Sequence, residues 1–431
     1  MMRRFDLRVD SEEQVRQALL QAVAFPSPEI EAQVRAIAQQ VQAEGDTALL
    51  RLSRQWDCPT LEHLEVTPEE FDRAYQRVRP EVVEAIQHAI ARVRRYHRPM
   101  RASSWWNPEP SGGLLGQMVR PLERVGIYVP GGRARYPSSV IMNAVPAKVA
   151  GVNEIVLCSP AQPDGSLPDS VLVAAQEVGI QRMFKVGGAQ AVFAMAFGTQ
   201  TIPAVEKIVG PGNLYVNLAK RMVWGLVGVD HWAGPSEVAI VADETANPLY
   251  VASDLLTQLE HGAESVGYLF SPSATLVERT LQMMGEMLPQ RARRDILERS
   301  LSQSVAAITR NLPEAFELAN LCAPEHLSLM VAEPMGWLSF VRNAGCILLG
   351  NDTPQSAGDY VAGPSHTLPT GRSARFESPL SVETFLKRSS VIMLTRNALQ
   401  QVAPDILTLA GEEGFEAHAN AVKVRLDPSL Q

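Results

Sequence analysis

Long apolar runs are missing from this 431-residue chain. No stretch approaches the roughly 18 apolar residues of a membrane span, and the opening MMRRFDLRVDSEEQ has no apolar signal core. A basic excess is missing too: 39 Lys and Arg stand against 47 Asp and Glu, a formal charge of −8. Nothing therefore supplies a cationic stripe able to displace phosphate counterions, nor a polybasic anchor, so neither nucleic acid nor membrane is expected as a partner. Cysteine is sparse. Cys58, Cys158, Cys322 and Cys346 are widely spaced with no C-x-x-C pair, which excludes a disulfide framework and a cysteine zinc site and predicts small apolar core residues. H-E-x-x-H is absent, so metalloprotease chemistry has no support, and G-x-G-x-x-G is absent as well. The expectation is a soluble, cytoplasmic protein.

The chain has ample apolar material for two or three domains, with 46% hydrophobic residues. The first hundred residues read as helices. Ser27-Pro28 supplies a cap and a proline at the first helical position; Ile30, Val34, Ile37 and Val41 then share one face, and Gly45 stops the run. Thr67-Pro68-Glu69-Glu70 is a capping box, and a third helix is predicted from Pro80 to about Tyr96. From residue 120 short apolar strands alternate with helical runs, the sign of parallel sheets covered on both faces. Strands are predicted at 126–129, 154–158, 183–186 and 207–209, then, past a break near Gly234, at 238–241, 267–270, 305–308, 327–330 and 346–350. The fold class is therefore α/β, with two consecutive Rossmann-like but incomplete units, a helical N-terminal region and a short C-terminal tail. The boundaries are 1–125 for the helical region, packed on the second unit; 126–236 for the first α/β unit; 237–375 for the second; and 376–431 for the tail, with a final strand at 421–426.

Three glycine turns follow strands of the first unit: Pro130-Gly131-Gly132, Gly187-Gly188 and Gly210-Pro211-Gly212-Asn213. Together they suit a phosphorylated or dinucleotide-like ligand on backbone N–H groups. The histidines divide into two groups. His63, His88 and His97 lie among charged residues and are expected on the solvated surface, and His231 beside Trp232 is expected to pack. Gln258 and His261 share a helix face, Glu325-His326 precedes a strand, Asp359 and His366 flank a glycine-containing loop, and His418 precedes the last strand. Gln258, His261, Asp359 and His418 could supply two nitrogens and two oxygens to zinc. Partly buried histidines satisfied by hydrogen bonds are the alternative.

Several segments carry more than spacing. Val129-Pro130-Gly131-Gly132-Arg133, Val186-Gly187-Gly188-Ala189-Gln190, Val209-Gly210-Pro211-Gly212-Asn213, Ala233-Gly234-Pro235-Ser236-Glu237, Gln258-Leu259-Glu260-His261, Ala323-Pro324-Glu325-His326, Gly358-Asp359-Tyr360, His366-Thr367-Leu368-Pro369-Thr370 and Arg375-Phe376 resemble the histidinol dehydrogenase family. The match runs in order from about residue 10 to the end. The resemblance implies a zinc- and NAD-dependent oxidation of L-histidinol through histidinal to L-histidine, the last step of histidine biosynthesis. By position it implies Gln258, His261, Asp359 and His418 as zinc ligands, and Glu325 and His326 as the acid/base pair. Ser236, His366 and Glu413 match substrate-binding positions, alongside Gln258, His261, His326, Asp359 and His418. Tyr128, Gln190 and Asn213 match NAD contacts. It also implies a homodimer whose tails complete one another's sites, so that Glu413 and His418 act in trans.

The chemistry suits these roles. A histidine with its ordinary pKa near 6.5 can take the hydroxyl proton, and a neighbouring carboxylate can activate the water of the second step. One departure, Asp230-His231-Trp232 ahead of Gly-Pro-Ser-Glu, is expected at the pocket rim. It keeps open a paralogue acting on another amino alcohol or a sulfonated diol. A non-catalytic scaffold would be expected to have lost some of the metal or acid/base residues, and all of them are retained.

Overall fold

Proline opens three N-terminal helices, Pro28–Glu44, Pro68–Arg77 and Pro80–His97. At that position its missing N–H has no intrahelical partner to lose. The capping box closes as expected: Glu70 N–H donates to Thr67 Oγ1 at 3.4 Å and Thr67 N–H to Glu70 Oε2 at 2.8 Å. The computed structural model describes residues 1–20, 27–132, 134–231, 234–427 and 429. Arg133, Trp232 and Ala233, all within the motifs above, lie outside the described residues, so the rim expectation for Trp232 does too.

The chain divides into two compact units, Met1–Met100 with Leu122–Phe385, and Arg101–Pro121 with Leu386–Gln431. The larger unit holds two parallel sheets. One runs, edge to edge, Arg182–Lys185, Glu154–Ser159, Arg124–Tyr128, Lys207–Val209 and Gly228–Val229. The other runs Arg3–Asp6, Val305–Ile308, Val266–Ser271, Glu237–Ala242, His326–Met330 and Cys346–Leu349. Fully buried Val, Ile and Leu fill the central strands of both, as sheets covered on both faces require.

The helical region does not pack where expected. Val34, Ile37, Val41, Leu49 and Leu52 share a core with Tyr128, Val156, Phe184 and Phe193 of the first sheet's layer. The physical reason is the nearly all-apolar helix Gly188–Phe197, which needs cover on its outer side as well. Among its described residues, the first twenty join the second sheet: Arg3–Asp6 pairs in parallel with Val305–Ile308, and Val15 and Leu19 enter that core. His97 also departs from expectation. It is buried at the end of its helix with Nδ1 2.9 Å from the Val93 carbonyl, and burial holds its pKa below the ordinary value.

The smaller unit has an antiparallel sheet, Leu386–Met393, Gly113–Pro121 and Trp105–Glu109, and two helices, Arg396–Glu412 and Glu416–Leu426. The expected final strand at 421–426 is thus helical. Its alternation Val422-Lys423-Val424-Arg425 imitates a strand, but the buried residues are Ala419 and Val422, three apart on one helix face. Strand Leu386–Met393 escaped notice because it is mostly exposed and carries Lys387, Arg388, Ser389 and Ser390 among its first five residues.

Candidate active site

The candidate site residues of the larger unit fall in two groups, one at the carboxyl ends of the first sheet and one at the amino ends of the second. On the first sheet Tyr128 closes a strand at its carboxyl end, and its hydroxyl accepts the Gly188 N–H at 3.1 Å. Gln190 is buried on the helix that Gly188 opens, with Oε1 unpartnered. Asn213 caps the next helix by accepting the Val216 N–H at 3.1 Å. Gly210 lets these segments meet: its φ is +114°, and a Cβ there would lie 2.1 Å from the Tyr128 carbonyl oxygen. A buried ion pair fixes the same turn. Lys220 Nζ donates to the Gly210 carbonyl at 2.6 Å and pairs with Asp230, whose other oxygen accepts the Gly210 N–H at 2.7 Å. Asp230 is thereby committed to structure, and His231 beside it is buried.

On the second sheet the chemistry sits at the amino ends. Ser236 and Glu237 lead into one central strand, and Glu325-His326 into its neighbour, in register with Val238. Glu325 Oε2 accepts the Glu237 N–H at 3.0 Å and Gln258 Nε2 at 2.7 Å. Gln258 Nε2 also lies 3.4 Å from His326 Nδ1, and His326 Nε2 lies 3.7 Å from Asp359 Oδ1. Burial pushes the Glu325 carboxyl well above the usual carboxylate range. Burial, helped by His261 and His366, lowers His326 to about 3. His326 is therefore a neutral imidazole.

Gln258 is in the last turn of helix Pro248–Leu259, and His261 lies just past its end. His261 Nδ1 faces the carbonyls of Thr257 and Gln258 at 3.1 and 3.2 Å, which leaves Nε2 as the free lone pair. Asp359 is on the short helix Gln355–Tyr360, beside Pro248–Leu259. Gln355 Nε2 donates to Gln258 Oε1 across a very short contact. His366 ties the two halves together, with Nδ1 3.0 Å from the Asp359 carbonyl and Nε2 3.4 Å from Ser139 Oγ. Ser365 and Thr367 on either side of it hydrogen-bond to Met142 and Asn143 of the same helix as Ser139.

A borderline cation finds here an imidazole nitrogen, a carboxylate and an amide oxygen, a donor set that fits zinc. Among the described residues no three His, Cys, Asp or Glu side chains converge into a metal group; beside His261 and Asp359 the third donor would have to be Gln258, whose amide oxygen here accepts from Gln355. Glu413 and His418 stand in the smaller unit, Glu413 closing its first helix and His418 inside its second, where the Phe415 ring lies 5.0 Å from the imidazole. Two residues of the site were given no role from the sequence. Glu237, raised to about 7 by burial, is a carboxylate leading into an apolar strand, which is a readable signal. Gln355, after Thr353-Pro354, has no such mark.

Fold and site together define an α/β enzyme with a buried Glu–His pair beside a metal-competent donor set. The sequence profile of the histidinol dehydrogenase family matches residues 22–426. The chain is similar to the histidinol dehydrogenase of Heliobacterium mobile, 47% identical over 414 residues covering 95% of this chain and 96% of the relative. It is similar to that of Moorella thermoacetica, 48% identical over 399 residues covering 92% and 94%. The crystal structure of histidinol dehydrogenase from Elizabethkingia anophelis superposes with a TM-score of 0.94 at 34% identity, covering 99% of this chain and 98% of that one. The chain belongs to the histidinol dehydrogenase family and is an oxidoreductase.

Proposed function

We propose that the chain oxidises L-histidinol through L-histidinal to L-histidine in the cytoplasm, with zinc and NAD, as a homodimer. The carrying observation is the buried Glu325–Gln258–His326 contact, which puts a base and a carboxylate against a candidate metal ligand. His326, kept neutral by burial, takes the hydroxyl proton of the alcohol on its unprotonated ring nitrogen. Glu325 Oε2 is held by the Glu237 N–H and Gln258, leaving Oε1 to take the proton of the water that adds to the aldehyde. Burial strengthens Glu325 as a base once it is ionised. Ser236 and His366 flank the cluster and orient the substrate's polar groups, an entropic gain that can reach several kcal/mol.

Gln258, His261, Asp359 and His418 of the partner subunit would hold the zinc, which when bound anchors the substrate's imidazole and amine. Tyr128, Gln190 and Asn213 would hold NAD, which when bound accepts the hydride of each step. Support for the dimer comes from the smaller unit taken alone. It buries mainly alanines, Ala398, Ala403, Ala410 and Ala419, and leaves Ile392, Leu409 and Phe415 exposed, so it has apolar surface to cover. Support for a reducing compartment comes from four cysteines, none of them in a disulfide.

The test is NADH formation by the zinc-loaded protein with L-histidinol against a panel of amino alcohols and a sulfonated diol. A kcat/KM for L-histidinol well above the panel is expected. Faster turnover of any other member contradicts the reading.

A further inference from the structure

A cavity of about 390 Å³ opens on the larger unit, and four arginines line it: Arg16, Arg342, Arg372 and Arg375. They come from separate places, the helix Glu12–Leu19, the turn after the 3-10 segment Pro334–Phe340, and the loop following Thr370. One carboxylate, Glu317, shares the lining.

This concentration of positive charge runs against a chain whose net charge is −8. Many other arginines pair with a carboxylate, as Arg8 does with Asp6, Arg51 with Glu44 and Arg124 with Glu154. Among the described residues no carboxylate lies within ion-pair distance of Arg342, Arg372 or Arg375, while Arg16 pairs with Glu12 at 3.0 Å. Arg372 Nε is shielded from solvent and has no hydrogen-bond partner, although its charge is near enough to the Glu237 carboxyl to oppose the rise that burial causes there.

Two features show a built wall. Asn320, itself buried, accepts the Arg342 N–H at 2.7 Å and donates to the Phe340 carbonyl at 2.8 Å, which fixes the turn that presents Arg342. Arg372 has φ +67°, the left-handed region that favours glycine. A non-glycine residue held there, with a buried unpaired guanidinium nitrogen, is strain retained for its side chain.

We propose that this cavity binds a small phosphorylated compound. Guanidinium forks match phosphate oxygens bidentately, and four of them exceed what a single carboxylate would use. The volume falls within the roughly 300–1,000 Å³ range of small-molecule sites. The bound anion would sit next to the catalytic centre in chain terms. The Gly371 and Arg372 N–H groups face the carboxyl of Glu237, whose own N–H holds Glu325.

The test is calorimetric titration of the purified zinc-loaded protein with fructose 1,6-bisphosphate, inorganic phosphate and fructose, so it is independent of turnover. Saturable binding of one bisphosphate or phosphate per chain is expected, and none of fructose; the tighter of the two anions identifies the source. Arg342→Ala/Arg375→Ala and, separately, Arg372→Gly should each weaken binding by about tenfold or more. Arg372→Gly should keep or raise the melting temperature, because it relieves the backbone. No anion binding up to about 10 mM at an ionic strength of about 0.1 M overturns the proposal. So does binding unchanged in both variants. Loss of the dimer in the double variant, with no anion binding by the parent protein, would make the arginines a subunit contact instead and would also overturn it.

Discussion

Gln258 Nε2 donates to Glu325 Oε2 at 2.7 Å, so a candidate zinc ligand and the candidate water-activating carboxylate are joined in one hydrogen bond. The amide nitrogen is spent on Glu325, which directs the amide oxygen to the other side. A metal held by that oxygen would be coupled to the base through one side chain.

That coupling separates the two oxidation steps. Glu325→Gln should slow the oxidation of histidinal by roughly 10²–10⁴-fold while slowing histidinol oxidation far less. His326→Gln should slow both, since each step removes a proton. Single-turnover NADH traces with each substrate check this, and equal losses in the Glu325 variant would refute the division.

His261→Asn should lose zinc and activity together, because His261 Nε2 is the lone pair left free by the backbone contacts at Nδ1. Mass-spectrometric metal content is the readout. Full zinc occupancy in the variant would remove His261 from the ligand set.

The Lys220–Asp230 pair is buried, each side chain 3% exposed. Asp230→Asn leaves the ammonium unpaired and should cost about 3–5 kcal/mol of stability. Because the pair clamps the Gly210 turn under Tyr128, the KM for NAD should rise more than kcat falls in any variant that stays folded. Lys220→Met/Asp230→Asn should recover part of the stability but not the KM, measured by denaturant unfolding and steady-state kinetics.

His97 gives a pH signature of folding. Its folded pKa lies below the ordinary 6.5, so the unfolded chain binds the extra proton as pH falls. Its contribution is complete above about pH 6.5 and is lost below that value. His97→Gln should flatten the decline in unfolding free energy between about pH 7 and pH 5. An unchanged slope would contradict the assignment.

The parts of the fold that repeat a period were legible in the residues. The strand at Lys207–Val209 and that at Val305–Ile308 match expectation to the residue, because short apolar runs bounded by glycine or polar turns have few other conformations. What escaped was tertiary. Arg3–Asp6 has no apolar alternation of its own and becomes a strand only at the edge that Val305–Ile308 offers. Gly113–Pro121 and Leu386–Met393 are distant in sequence, and their antiparallel pairing leaves no local mark. At the site, Glu325, His326, Gln258 and Asp359 were recognisable from their motifs, whereas Gln355 acts only through the packing of two helices.

Subunit sharing has its own test. Zinc completed by His418 of the partner subunit would let two inactive variants, His261→Asn and His418→Asn, rescue each other on co-refolding. Random pairing makes about half the dimers mixed, each with one intact site, for about a quarter of the parent activity. Mixed dimers shown to be present but inactive would rule sharing out.

The most direct measurement of the central claim is the stoichiometry of the reaction: NADH formed and L-histidine released per L-histidinol consumed, with free histidinal trapped by a carbonyl reagent. A single site carrying both steps on Glu325 and His326 gives two NADH and one L-histidine with no trapped aldehyde. One NADH with histidinal accumulating in the trap would contradict it.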